Sequence, residues 1–535
     1  MNLLFSSLQK HYEKNPNVWY LSLFILGFLI YHQNLGYIPL RADEPTRTIV
    51  ALEMMISGNY ITPTINGEWY YRKPPLFNWL LIAIMNITGS KSDFVLRLAC
   101  TVPLFLFGLT IFLHAKKYIH HAAAFLAAAM FVTCGRMLIY ASFLGHIDVF
   151  YSWITYLAFI ALFEYAKKEQ WTKALFISYL LHTIAFLCKG LPSVLFAGLS
   201  AVAVIIYFAS WKKVFGWRHL LAALMFFTGI ASYFYIYSQY NSLEGWVTQL
   251  WDQSAQRTVM DEDRSWWDTL INLFKFPADH IMHLAPWSIF APVIFFKGFW
   301  KALKANPFLS VFGLIFAINI PVYWLSPGYY PRYLFMLYPI FFVFLAYFLN
   351  KWEDSRYVRS VNKVLLILTL LAIPAPIAVF FVDFEVNYAV LKVSVSVIFA
   401  LLAALAFWKM PRLRMLSLVF VLLVLRFMFN MFVQDHRMQT GPHEVYKNGA
   451  IEAATIAGPN PLYVFTGTPI NHQTTWYVEK TRMEILRIRK DIESGCYYMV
   501  YEGSKAYWPT NAAYEDMYRF KTKWEDTEIT LRKAL

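Results

Sequence analysis

The chain has 535 residues, of which 58% are hydrophobic, 19% aromatic and 15% charged, with a formal net charge of +14. With a mean hydropathy of +0.43, this balance excludes an ordinary soluble multidomain protein and predicts a polytopic α-helical membrane protein. No basic run is dense enough to hold nucleic acid, so no nucleic-acid partner is expected. Cys100, Cys134, Cys188 and Cys496 lie far apart and match neither a metal-ligand spacing nor a disulfide framework.

The first apolar run, residues 18–35, lacks a small-residue cleavage site and reads as an uncleaved membrane anchor. Residues 37–75 then carry unusual polar density. They open with Arg41-Ala42-Asp43-Glu44-Pro45 and close with Tyr70-Tyr71-Arg72-Lys73-Pro74-Pro75. Pro45 suits the first turn of a helix, Ile49, Leu52, Met55 and Ile56 form one apolar stripe, and Gly58 terminates it. Asp43 and Glu44 read either as caps that complement the helix dipole or as carboxylates with chemistry to do. An amphipathic helix lying on the membrane surface would hold Asp43 at the lipid–water boundary. Asn66-Gly67 is a turn signal that folds residues 69–73 back, bringing Arg72 and Lys73 toward those carboxylates. The plainer alternative for both cations is snorkelling to lipid head groups.

The next apolar stretch, Leu76–Thr88, is too short for a full span. Residues 37–94 are therefore read as one external segment lying on or dipping into the bilayer; a short tilted span is the alternative. About thirteen spans follow from apolar length, near 18–36, 95–114, 122–142, 149–166, 172–190, 192–210, 219–240, 286–300, 308–325, 333–350, 362–382, 388–408 and 413–431. Alternate loops then share a basic character: Lys10/Lys14, Lys116/Lys117, Lys167/Lys168, Lys212/Lys213/Arg218, Lys297/Lys301/Lys304, Lys351/Arg356/Arg359 and Lys409/Arg412/Arg414. That set marks the cytoplasmic side.

The opposite face collects segment 37–94, the turns 145–148 and 189–192, the loop 241–285, the turn 326–332 and the tail from 432. Asp148 sits at the outer end of a span, where an ionisable group is costly unless paired or functional, and Arg136 is one structural partner to consider. Lys189 lies at a similar depth. Arg332 stands among Tyr329, Tyr330 and Tyr333, while Arg257 and Arg264, the latter in Asp261-Glu262-Asp263-Arg264, occupy a loop that reads equally as a mobile lid. The transmembrane unit is placed at 1–431 and a small α/β domain at 432–535. In that domain strands are expected at 462–466, 476–479 and 496–501, with a helix-favouring segment at 484–492.

Cations, aromatic rings and carboxylates on one membrane face suit a lipid-linked anionic substrate: Arg and Lys neutralise phosphate and a carboxylate serves as base. A transporter or flippase of an anionic polyprenyl-linked lipid is the alternative, against which the charges gather at one face rather than the midplane and no inverted repeat is visible. A structural membrane scaffold is a third, weaker reading.

Arg41-Ala42-Asp43-Glu44, Ser57-Gly58-Asn59-Tyr60 with Pro63, Asn66-Gly67 and Lys73-Pro74-Pro75-Leu76 closely resemble the first loop of the bacterial lipid A aminoarabinose transferases. Leu187-Cys188-Lys189-Gly190 and Pro331-Arg332-Tyr333-Leu334 resemble that family too, which groups with the protein O-mannosyltransferases among polyprenyl-phosphate-sugar-dependent membrane glycosyltransferases. The resemblance implies a GT-C fold in a bacterial inner membrane, with the active site and the C-terminal domain facing the periplasm. It implies an inverting transfer from a polyprenyl (undecaprenyl) phosphate sugar to lipid A, another glycolipid or a protein. Asp43 and Asp148 match the family's functional carboxylates, with Glu44 beside them. Lys73 matches the cation on the carrier phosphate, with Arg332, Tyr330, Tyr71, Arg72, Arg264 and Lys189 as further phosphate- or substrate-binding positions. Arg72 departs from the family, whose aminoarabinose enzymes carry glutamate there, so neither the sugar nor a divalent metal is fixed by the resemblance. No cofactor is otherwise expected.

Overall fold

The computed structural model describes residues 2–535 apart from 210, 215, 256–265, 327–328, 383–384, 502, 504–507, 510–511 and 523–526. Among the described residues, eight helices are long and apolar enough to cross a membrane: Asp93–Ala115, Ile147–Lys167, Trp171–Lys189, Trp217–Ser238, Pro307–Trp324, Arg356–Phe381, Ala389–Lys409 and Arg414–Thr440. Shorter apolar helices are Pro16–His32, Leu76–Thr88, His121–Thr133, Pro192–Phe208 and Tyr338–Lys351. Their burial separates two groups. In Ile147–Lys167, 72% of the apolar window is buried, against 22% in Arg356–Phe381. The first is an interior helix whose polar end can be held in place by neighbours; the second offers its side chains to lipid.

Two expected spans differ. Residues 286–300 form a 3-10 segment, Trp287–Phe295, followed by the short helix Phe299–Lys304. Pro292 inside the segment removes an N–H, and Gly298 at φ 91° breaks the run. Residues 122–142 divide into His121–Thr133 and a π turn, Met137–Ala141. Leu76–Thr88 has 13 residues and ends on left-handed Gly89; at about 20 Å it is shorter than the bilayer core.

The first loop folds as a helix and a hairpin. The helix Glu44–Ser57 ends on left-handed Gly58. Strands β1 (Thr64–Ile65) and β2 (Glu68–Trp69) pair across Asn66 and Gly67, both at positive φ as a type I′ turn requires. The expected surface-lying posture is not found. Thr48, Ile49, Val50, Ala51, Leu52, Glu53 and Met54 are all buried, because the helix is sandwiched between Leu76–Thr88 and a helix of the C-terminal layer, His472–Arg482.

That layer begins later than the expected boundary at 432. Arg414–Met428 runs on through a π turn, Phe429–Val433, into Gln434–Thr440, so residue 432 falls inside a continuous helical run. After the helix His443–Ala457 come β3 (Leu462–Phe465), β4 (Ile488–Arg489), β5 (Tyr497–Tyr501), β6 (Tyr514–Lys521) and β7 (Glu528–Ala534) in the order β4-β3-β5-β7-β6. Strands β3, β4 and β5 are parallel and β7 is antiparallel to both its neighbours. Residues 476–479 are helical, correcting the expected strand. Asn471 caps that helix by accepting from Thr474 N at 2.9 Å, and Trp476, Tyr477 and Val478 are buried on it. Tertiary packing outweighs β propensity here. Segment 484–492 is extended around β4 instead of helical, since Met483 in the left-handed region ends the preceding helix. Tyr477 clamps the layer to the first loop: its OH donates to Asp93 Oδ2 at 2.6 Å and accepts from Leu40 N at 3.1 Å.

Candidate active site

Asp148 is the second residue of the Ile147–Lys167 helix and Lys189 the last of Trp171–Lys189. Consecutive helices that run in opposite directions bring those two ends together. Lys189 Nζ lies 2.5 Å from Asp148 Oδ1, with both side chains buried. The 3-10 turn Pro331–Leu334 aims Arg332 at the same carboxylate, its Nε 3.7 Å from Asp148 Oδ2. Arg332 Nη2 also donates to Asp43 Oδ2 at 2.8 Å, and its Nη1 lies 3.5 Å from His146 Nδ1. The result is a chain of alternating charge, Lys189–Asp148–Arg332–Asp43, that runs from the interior to an Asp43 side chain 59% exposed. Aromatic faces line it. Lys189 Nζ sits 4.2 Å from the Tyr333 ring centroid, and the Arg332 guanidinium 4.8 Å from that of Tyr330. Arg136, the sequence-level partner for Asp148, stacks on Tyr140 at 3.9 Å.

Glu44 has a different environment, which corrects its expected catalytic placement. It is buried and meets Arg97 through two bonds, Nε to Oε1 at 2.8 Å and Nη2 to Oε2 at 3.0 Å. Gly145 N and Arg41 N donate to the same carboxylate at 2.8 and 3.0 Å. Burial pushes the Glu44 carboxyl up, but Arg97 and these donors outweigh it and hold it below the ordinary carboxylate range. Arg97 also donates to the carbonyls of Leu35, Ile38 and Pro39. Glu44 with Arg97 thus ties three chain segments together and exposes no oxygen to a substrate. Asp43, although it is the N-cap residue, makes no side-chain capping bond.

The segment after the hairpin delivers Arg72 to a cavity of about 450 Å³, whose walls also include Lys189, Pro192, Phe234, Trp246 and Tyr323. Lys73 is half-buried and within Coulombic reach of Cys188, the neighbour of Lys189. Tyr71 differs from its expected phosphate-binding placement. Its OH accepts from Asn241 Nδ2 at 2.9 Å, and its ring meets Trp246 edge-on at 6.1 Å, packing the first loop onto the helix Glu244–Ala255. Arg257, Asp263 and Arg264 lie outside the described residues. Among the described residues no three His, Cys, Asp or Glu side chains gather at metal-ligand spacing, and the two carboxylates of the chain are held apart by the Arg332 guanidinium.

Sequence reasoning missed Arg97 and His146. Arg97 was the findable one. It is a charge inside an apolar span, and such a residue demands a partner.

The family model described as dolichyl-phosphate-mannose-protein mannosyltransferase matches residues 72–235. An undecaprenyl phosphate-α-4-amino-4-deoxy-L-arabinose arabinosyl transferase of Pseudomonas fluorescens is 23% identical over 332 residues, covering 59% of this chain and 54% of that protein. The corresponding transferase of Shewanella sediminis is 27% identical over 201 residues, 34% of each chain. The chain spans about half the length of the first of these curated relatives and about a third of the second. The crystal structure of ArnT from Cupriavidus metallidurans bound to undecaprenyl phosphate superposes with a TM-score of 0.71 at 16% identity, covering 96% of this chain and 98% of that one. The fold is therefore that of the GT-C integral membrane proteins. Within that class, the chain is similar to the aminoarabinose transferases it matches and, over residues 72–235, to the protein mannosyltransferase model.

Proposed function

We propose that this chain transfers a sugar from a polyprenyl phosphate to a lipid A, glycolipid or protein acceptor at the periplasmic face of a bacterial inner membrane. The observation that carries the reading is the Lys189–Asp148–Arg332–Asp43 chain, with Lys189 also lining the largely apolar 450 Å³ cavity. Apolar and aromatic walls suit an isoprenoid chain, and Arg72 and Lys189 supply positive charge for its phosphate. The relatives are named for undecaprenyl phosphate-linked aminoarabinose, and the superposed ArnT structure holds undecaprenyl phosphate.

In this reading the bond from sugar C1 to the carrier phosphate oxygen breaks, and the phosphate leaves with the electron pair. Lys73, Arg72, Lys189 and Arg332 neutralise the charge that develops there, the kind of contribution that is usually largest in catalysis. The acceptor oxygen bonds to C1 from the opposite face, with inversion. Asp148 positions Lys189 and Arg332, and Tyr330 supports the Arg332 guanidinium. An arriving phosphate competes with Asp43 for Arg332 and releases that carboxylate toward the acceptor. A hydroxyl acceptor gives its proton to Asp43; an anionic phosphate acceptor needs no base, and Asp43 then orients it or binds an amino group. Glu44, saturated by four donors, holds the loop that carries Asp43. Membranes containing folded Asp43→Asn should release free polyprenyl phosphate from a polyprenyl-phosphate sugar about a hundredfold more slowly or worse. Activity near that of the unmodified chain sinks the assignment.

A further inference from the structure

At the end of the bundle away from the candidate site, a cavity of about 650 Å³ opens between the helices Pro16–His32, Asp93–Ala115 and His121–Thr133. The middle helix fixes the two ends: Asp93 meets Tyr477 of the C-terminal layer, and Lys116 follows its last residue at the far end. Leu21, Phe24, Leu109 and Val132 are among the walls. All three helices agree on the depth. Lining residues run from Asn17 to Gly27, from Lys116 back to Phe105 and from His121 to Thr133, which at the α-helical rise is about 15–18 Å. That is half of an apolar bilayer core of about 30 Å, the reach of a single leaflet.

The mouth of this groove is basic. Lys116 Nζ sits 5.1 Å from the ring centroid of Phe112, a wall residue, and makes no ion pair among the described residues. Its neighbour Lys117 is committed elsewhere: it meets Glu164 Oε1 at 3.4 Å, a carboxylate that His114 and Tyr118 also engage. The His121 ring lies 5.1 Å from that of Tyr20, and Tyr20 stacks on Phe125 at 4.1 Å. The helix Asn2–Lys14 folds back to the same place, with Tyr12 OH 3.0 Å from Tyr20 OH. Exposed Lys116 and half-buried His121 thus share the rim of an apolar slot with Asn17.

We propose that this groove binds an anionic phospholipid, with one acyl chain between the three helices and its phosphate on Lys116 and His121. A chain of one leaflet's length accounts for the depth and the apolar walls, and the Lys116 ammonium for the charge of the head group. A free phosphate leaves the apolar slot without its chain, and a neutral lipid leaves Lys116 without its anion. Lys116 also belongs to the basic loop set read as cytoplasmic, the side where anionic lipids gather. The bound chain braces Pro16–His32, which leads into the first loop, against the helix that carries Arg97. The inference is independent of the transfer reading.

The test uses the full chain in detergent, with phosphatidylglycerol and phosphatidylcholine of matched acyl chains as separate probes, read by native mass spectrometry and by melting temperature. One phosphatidylglycerol should bind about tenfold tighter than one phosphatidylcholine, the scale of one charge-assisted hydrogen bond, and should raise the melting temperature more. Lys116→Gln should remove that preference and leave the lipid-free melting temperature unchanged, because the side chain is exposed. Lys117→Gln loses the same charge and should keep the preference. Leu109→Trp, at a wall position 38% exposed, fills the slot and should weaken both lipids. Equal affinity for the two lipids, a preference that survives Lys116→Gln, or one lost equally in Lys117→Gln overturns the proposal. Competition by glycerol phosphate would assign the rim to a soluble phosphate and overturn it as well.

Discussion

Asp43 and Glu44 are adjacent carboxylates, each paired with an arginine at 2.8 Å, yet they occupy opposite kinds of environment. Asp43 is 59% exposed and Arg332 17%, whereas Glu44 and Arg97 are 1% and 0% exposed. An exposed pair is weak and exchangeable, so Arg332 can leave Asp43 for a ligand. A buried pair is costly to break, because the surviving charge has no water to turn to. Burial, rather than residue type, separates the solvent-facing carboxylate, the one proposed to react, from the structural one.

The sharpest way to break the comparison is Glu44→Gln beside Asp43→Asn. Glu44→Gln leaves Arg97 charged in the interior and should cost about 3–5 kcal/mol of stability, seen as a large fall in melting temperature and in folded yield. Asp43→Asn should leave melting unchanged and strike only transfer. Equal melting of the two variants would remove the distinction. Asp148→Asn comes next. It strips the buried Lys189 of its anion and loosens Arg332, so transfer should fall about 10²–10³-fold with a moderate loss of melting temperature; unaffected turnover would remove Asp148 from the cluster.

A third carboxylate site refines the lesson. Glu53 and Glu479 are both buried where the first loop meets the C-terminal layer. Glu53 accepts from Thr64 Oγ1 and Asn66 N, each at 2.5 Å, and Gly67 N at 3.2 Å, while Glu479 accepts from Leu486 N at 3.0 Å. Among the described residues no cation pairs with either carboxylate. Burial pushes both carboxyls up, and the Glu53 charge raises Glu479 further, well above its ordinary range. A raised acid favours folding while protonated, so this stabilisation is full below the ordinary carboxylate pKa and is lost as pH rises through the folded one. Melting temperature should therefore decline with rising pH on that account, and Glu479→Gln should flatten the decline; an unchanged profile would show that the pair holds no proton. The smallest effect is expected from Gly245→Ala. A Cβ there would stand 2.4 Å from the Tyr71 ring, which costs about 1–3 kcal/mol of overpacking and should appear as faster proteolysis near the helix Glu244–Ala255 at a nearly unchanged global melt.

Several residues that the structure brings together were legible in sequence because each broke a local rule. Asp148 and Lys189 were ionisable groups at span ends, Arg332 stood in a cluster of tyrosines, and Asn66-Gly67 specified its turn. Residues 476–479 were misread because Trp-Tyr-Val carries strand propensity in isolation, while the helices that bury it, His443–Ala457 and Glu44–Ser57, include one more than four hundred residues away; 484–492 was misread because the preceding helix ends at left-handed Met483 and the chain continues extended into β4. Tyr71 followed the same pattern: its partners Asn241 and Trp246 are distant in the chain.

The sequence by itself determined that this is a membrane protein with an acidic and basic first loop, since hydropathy, turn chemistry and helix caps act over a few residues. Only the tertiary structure decided which of two neighbouring carboxylates faces solvent, which cation each one meets, and that the C-terminal layer closes over the first loop. The reason is physical. A charge pair depends on through-space distance and on local water, and both are set by segments that the chain brings together from far apart.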